Sequence, residues 1–156
     1  MKRIRYALFL FIGLLAATLV AAQKSQATLG EPVDSVDSDR KAFSAIRSAS
    51  STFRNYTIQQ VESDAVVIRE YVSPSGIVFG VAWNGLTQPD LTQLLGSYFP
   101  EYQLARKQSP RIHGRRSSQV TTDRLIVETW GHMRDLQGRA YVPALIPTGV
   151  SIDEIK

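Results

Sequence analysis

Cysteine is missing from this 156-residue chain. Its absence excludes a disulfide framework, a thiolate nucleophile and a lipid-modified cysteine anchor, so an exported form has to hold its fold through its core alone. Histidine is nearly missing too: His113 and His132 are the two present, too far apart in sequence for the closely spaced ligand set of a dedicated zinc site. No G-x-S-x-G nucleophile elbow occurs. No metal and no cofactor is therefore expected. Two stretches, 1–27 and 104–118, combine basic residues with no acidic one and carry information.

The first stretch reads MKRIRYALFLFIGLLAATLVAAQKSQA. Lys2, Arg3 and Arg5 precede an apolar run from Tyr6 to Ala22, and small residues at Val20/Ala22 and Ser25/Ala27 offer cleavage sites. This pattern predicts a secretory signal peptide over residues 1–27, cut after Ala27, with Ala22 as the other exit. An uncleaved membrane anchor is the alternative, because the run approaches the ~20 residues of a span. The working chain is thus expected in the periplasm or outside the cell.

Lys2, Arg3, Arg5 and Lys24 are four of the 18 basic residues, which leaves 14 against 14 acidic ones, so the formal charge of +4 belongs to the targeting segment. Nucleic-acid binding loses its compositional support. Residues 28–156 suffice for one globular domain, since a chain of that size buries about two-thirds of its unfolded surface.

Thr28–Asp39 turns acidic after Leu29, Gly30 and Pro32, and reads as an exposed leader. Ser35–Ser48 carries Val36, Phe43 and Ile46 at near-helical spacing, with acids early and Arg47 late, and predicts a first helix. Ser48–Thr52 is a polar break. Tyr56–Val61, Val66–Val72 and Ile77–Trp83 are rich in β-branched and aromatic residues and predict a three-stranded antiparallel meander. Ser73-Pro74-Ser75-Gly76 has the preferences of a type I turn between the last two strands. Ile77, Phe79, Val81 and Trp83 alternate with Val78, Gly80 and Ala82, so one face is bulky and the other small enough for a helix to cross.

A second helix is predicted from Gln88-Pro89-Asp90, capped by Thr87 or Gln88, with Leu91, Leu94, Leu95 and Tyr98 on one stripe and Pro100 at its end. Residues 104–118 carry Arg106, Lys107, Arg111, Arg115 and Arg116 and read as a mobile basic loop. Arg124–Met133 and Arg139–Leu145 predict a hairpin turning at Asp135-Leu136-Gln137-Gly138, and 147–156 forms a tail with no readable structure. The expected fold is α+β: an antiparallel sheet from a three-stranded meander plus a C-terminal hairpin, with about two helices packed on it. Trp83 and Tyr98 belong to its core, leaving Phe99 and Tyr102 as exposed aromatics.

The runs REYVSPSGIVFGVAWNG at 69–85 and PDLTQLLGSYFPEY at 89–102 resemble the secreted proteobacterial family catalogued as domain of unknown function 2844. The similarity extends from the TLG near Thr28 through the second hairpin. It implies an export signal, and it carries no catalytic or binding role to any residue.

Candidate chemistry therefore rests on the residues alone. His113 sits among arginines that disfavour its protonation and has no paired nucleophile, and Ser73 and Ser75 are explained by their turn. No catalytic residue is assigned. The most site-like cluster is Arg124, Glu128, Trp130 and His132, which share one face with Ile126 if that strand is regular, and could bind a polar ligand by stacking and hydrogen bonding. A solvated sheet face has the same pattern. The expected function is a small exported, non-enzymatic binding or assembly module acting on an envelope or extracellular protein partner through a sheet face or edge strand. Two alternatives stand beside it. One is a binder of anionic envelope lipid or polysaccharide through Arg106, Lys107, Arg111, Arg115 and Arg116; the other is a hydrolase using Glu128 and His132. Membrane association is expected only through an uncleaved signal or weak contact of that loop.

Overall fold

The computed structural model describes residues 29–32, 47–109 and 116–156. Seven strands form one antiparallel sheet: β1 (Arg47–Thr52), β2 (Thr57–Glu62), β3 (Val66–Val72), β4 (Val78–Gly85), β5 (Ser118–Thr121), β6 (Ile126–His132) and β7 (Asp135–Tyr141). Their spatial order is β1-β2-β3-β4-β7-β6-β5. Two meanders thus meet where β4 pairs with β7. Two helices, α1 (Leu91–Leu95) and α2 (Phe99–Gln108), lead from β4 in the middle to β5 at the far edge.

This is the α+β architecture expected from the sequence, with an additional strand at each edge. β1 has the sequence RSASST and was expected as a break; its six-residue register with β2 is set by the hairpin that follows. β5 has only four residues, SQVT, and one buried side chain, Val120. Neither has enough apolar alternation to announce itself. The predicted helix over Ser35–Ser48 lies outside the described residues apart from Arg47 and Ser48, which begin β1.

The Ser73–Gly76 turn forms as expected, with Gly76 N–H donating to Ser73 O at 2.9 Å and Gly76 at φ 80°. Just beyond it the face assignment changes. Tyr71 pairs with Gly80 but Val72 pairs with Val78, so Phe79 is the extra residue of a bulge. Val78, Val81 and Trp83 consequently pack into one core with Ile68, Leu91, Leu94 and Leu95, while Phe79 and Ala82 join a second core with Tyr56, Tyr71, Tyr141 and Ile155. The helices cover the bulky face. The small face at Gly80 and Ala82 receives the chain's C-terminal tail, because Gly80 leaves room for Ile155, whose Cδ1 lies 3.0 Å from where a β-carbon would be.

Asp90, rather than Thr87 or Gln88, caps α1, its carboxylate accepting from Thr92 N–H at 2.9 Å. Leu91, Leu94 and Leu95 are buried as the stripe predicts. Pro100 does not end the helical region. It stands in the first turn of α2, where its missing N–H is harmless. Leu104–Gln108 is therefore helical and not loop, with Arg106 and Lys107 in the last turn, where cations suit the dipole. Tyr102 is buried, contrary to its expected exposure, and anchors α2 to the main core. The leader is likewise pinned at Leu29, fully buried, with Leu29 N–H donating to Leu94 O and Gly30 N–H to Val78 O at 3.2 and 2.7 Å.

The second hairpin turns earlier than expected. Met133 and Arg134 make its tip, Arg134 at φ 69° and Met133 91% exposed, so Asp135–Gly138 belongs to β7. Gly138 is not a turn residue. It faces Trp83 across the strands, and a β-carbon there would stand 2.3 Å from the indole Cζ2 and 2.8 Å from Glu128 O. β7 ends at Tyr141, so Pro143–Leu145, expected as the end of that strand, is a short 3-10 turn, and the tail holds another at Ile152–Glu154. Ser151 and Glu154 form a capping box over the second, and Ile155 is fully buried.

Candidate functional site

The tail-covered face has its polar groups in one row. Cross-strand pairing aligns Gln60, Arg69, Ala82, Arg139, Glu128 and Gln119 from β2 to β5. Antiparallel register brings such partners within contact. Arg139 Nε donates to Glu128 Oε2, and its Nη1 donates to Ile152 O and Ile155 O at 2.9 and 3.3 Å. Arg69 donates through Nε to Gln60 Oε1 and through Nη1 to Lys156 O, both at 3.2 Å. Two guanidiniums thus hold tail carbonyls, using the several donors that arginine presents at fixed angles.

Aromatic hydroxyls fix the same segment. Tyr71 OH donates to Lys156 O at 2.8 Å and accepts from Lys156 N–H at 2.9 Å. Tyr56 OH donates to Glu154 Oε2 at 2.8 Å. Burial, reinforced by that carboxylate, pushes the Tyr56 phenol up to about 12. Hydrogen bonds from Ser151 and Tyr56 hold Glu154 below the ordinary carboxylate value. Burial also raises Tyr141, beneath the Arg139 guanidinium at 5.8 Å.

Where this row reaches β5 there is an open depression of about 390 Å³. Its lining includes Glu128, Trp130 and Arg139 from β6 and β7, Gln119 from β5, and Ile155 and Lys156 from the tail, with Ser117 and Ser118 at the edge. Trp130 is half-buried; its Nε1 donates to Gln137 Oε1 at 3.0 Å, which fixes the ring, and the Arg139 guanidinium lies 6.0 Å from it. Gln137 in turn donates to Asp135 Oδ1 at 2.9 Å, and Asn84 donates to the same oxygen at 3.2 Å.

Of the four residues expected to form a site, Glu128 and Trp130 meet in this depression. Arg124 does not reach it. It precedes β6 and pairs with Glu101 of α2, its guanidinium 5.1 Å from the Tyr98 ring, on the helix-covered side. Bonds from Thr122 and Arg124 hold the Glu101 carboxyl low. His132 is exposed near the hairpin tip, 3.9 Å from Asp135 Oδ2, and does not line the depression. Glu128 and His132 are four strand positions apart, roughly 13 Å at the usual rise, beyond direct proton exchange. Glu128 is moreover held by Arg139.

Among the five expected basic-loop contacts, Arg106 and Lys107 lie on α2, Arg116 precedes β5, and Arg111 and Arg115 lie outside the described residues, as does His113. The described residues hold no group of three or more potential metal ligands, and no helix among them is long and apolar enough to cross a membrane. Residues 1–27, with the predicted signal, lie outside the described residues.

Arg139, Gln119 and Lys156 also line the site, and none of them stood out in the sequence. Arg139 was assigned to the strand directly after a turn, which hid its pairing with Glu128; placing the turn at Met133–Arg134 reveals it. Lys156 belongs to a tail whose contacts are long-range and leave no periodic signal. Glu70 was also passed over: it is buried at 1% exposure on the helix-covered face, opposite Val81.

A family model described as "Protein of unknown function (DUF2844)" matches residues 25–155. No curated protein and no solved structure matches the chain.

Proposed function

The chain belongs to the DUF2844 family, whose description names no activity, and from that premise we propose that it is an exported, non-enzymatic binding module that takes up an extended segment of an envelope or extracellular protein along the edge of β5. The observation that carries the reading is the depression opening beside that edge, with Glu128, Trp130 and Arg139 on its floor. Strand addition uses the main chain of an edge for affinity and pockets beside it for selectivity. β5 offers both. Its outer side pairs with no described strand, and Ser118, Gln119 and Thr121 are exposed. The site's carboxylate is held by a guanidinium, which suits recognition better than acid-base chemistry.

Export rests on the basic start and apolar run of residues 1–27. Binding to anionic lipid or glycan through the five cations has less support, since α2 carries Arg106 and Lys107 in its last turn, where they complement the helix dipole. The test is affinity capture of the tagged chain from its own envelope, beside a Gln119→Arg/Trp130→Ala variant. The wild type is expected to retain a discrete protein that the variant loses, with far-UV circular dichroism unchanged. Equal retention by both refutes the site.

A further inference from the structure

We infer that the segment taken up by β5 carries an acidic side chain opposite Gln119. The inference rests on the strand-addition reading and names the chemistry of its occupant. An added strand continues the alternation of the sheet, so its residue opposite Gln119 joins the row of Gln119, Glu128 and Arg139 and projects into the depression.

The charges awaiting it are unequal. Glu128 is compensated by Arg139. Lys156 at the rim is exposed, and the hydrogen bonds shown at that residue run through its main-chain N–H and carbonyl; its charge is felt by Glu154, which is held by Ser151 and Tyr56 and does not line the depression. Arg139 uses Nε and Nη1 for Glu128 and the tail, and Nη2 takes part in none of those bonds. Among the lining residues a carboxylate entering here meets Arg139 and Lys156 against Glu128, a net excess of one cation, whereas a lysine or arginine meets like charge. Trp130 and Ile155 give the walls apolar surface for the methylenes of such a side chain.

The chain itself supplies the readout. Trp83 is buried and Trp130 lines the depression, so the acrylamide-quenchable fluorescence belongs to Trp130. The chain, purified in the form its cell leaves it, is titrated with short end-blocked Thr/Val peptides that differ only in a central Glu, Gln or Lys. The Glu peptide is expected to shield Trp130 with an affinity about fivefold above its Gln isostere, the scale of a partly exposed charge pair, and the Lys peptide to bind more weakly than either. Lys156→Gln should bring the Glu and Gln peptides within about twofold, and 1 M salt should do the same by screening. Equal binding of all three peptides overturns the acidic preference and leaves strand addition standing. Shielding by free glutarate equal to that by the Glu peptide overturns it too, because the carboxylate then needs no strand. Shielding by none of the peptides removes strand addition itself.

Discussion

Gly138→Ala separates two accounts of this fold by the sign of its effect. Gly138 does not have a positive φ, so its backbone asks nothing of glycine, and replacing it with alanine stiffens the unfolded chain, which alone stabilises by about 0.4–1 kcal/mol. A glycine that merely followed a turn would show that gain. In the structure the new β-carbon stands 2.3 and 2.6 Å from Trp83 Cζ2 and Cε2. Real packing does not tolerate such distances, and the indole is held at 3% exposure by the main core. Forcing an extra methyl into a filled core costs about 1–3 kcal/mol. The net expectation is destabilisation by about 1–2 kcal/mol, a shift of the urea midpoint on the order of 1 M. Trp83→Leu removes the second ring, so Gly138→Ala introduced on that background should cost at least about 1 kcal/mol less, the coupling expected of residues in direct contact. Stabilisation by Gly138→Ala, or an equal cost on both backgrounds, refutes the wedge.

Trp83→Ala should cost about 3–5 kcal/mol in urea unfolding, whereas Trp130→Ala, losing a half-buried ring and one hydrogen bond, should cost about 1 kcal/mol or less; equal costs would place Trp130 in the core. Ile155→Ala should cost about 2–5 kcal/mol and speed amide exchange across Val150–Lys156, and an unaltered exchange pattern would mean that the arginine clamps alone seat the tail. Glu154 has a lower carboxyl pKa folded than its ordinary value of 4.5, so its contribution is present above that value and is lost as pH falls through the folded one. Melting curves of wild type and Glu154→Gln should therefore converge on acidification below 4.5, and a constant gap would show that Glu154 acts through shape. Tyr56 is raised from 10.0 to about 12, so its contribution is present below 10.0 and lost as pH rises towards 12; Tyr56→Phe should flatten the alkaline decline.

The central meander was legible because β2, β3 and β4 alternate β-branched and aromatic residues around a turn whose Ser, Pro and Gly act locally. The leucine stripe of α1 was legible for the same local reason. Phe79 was assigned to the wrong face because a bulge is a property of two strands, and β4 read alone looks regular. Gly138 misled because Asp-x-x-Gly fits both a turn and a strand that must admit an indole. The tail was opaque because Arg69, Tyr71 and Arg139 hold it by its carbonyls, and carbonyls are common to all residues. The candidate site was half legible: alternation along β6 brought Glu128 and Trp130 to one face, while Arg124 was drawn to Glu101 on α2, just past the Pro100 at which the helix was expected to end.

If β5 is the edge that accepts a partner, as proposed, hydrogen–deuterium exchange on the captured complex will register it there. The two outer strands serve as each other's control, because β1 and β5 both lie at sheet edges among the described residues. Complex formation is expected to slow exchange across Ser118–Thr121 and leave Arg47–Thr52 unchanged. Protection of β1 with β5 unaffected, or of neither edge, contradicts it.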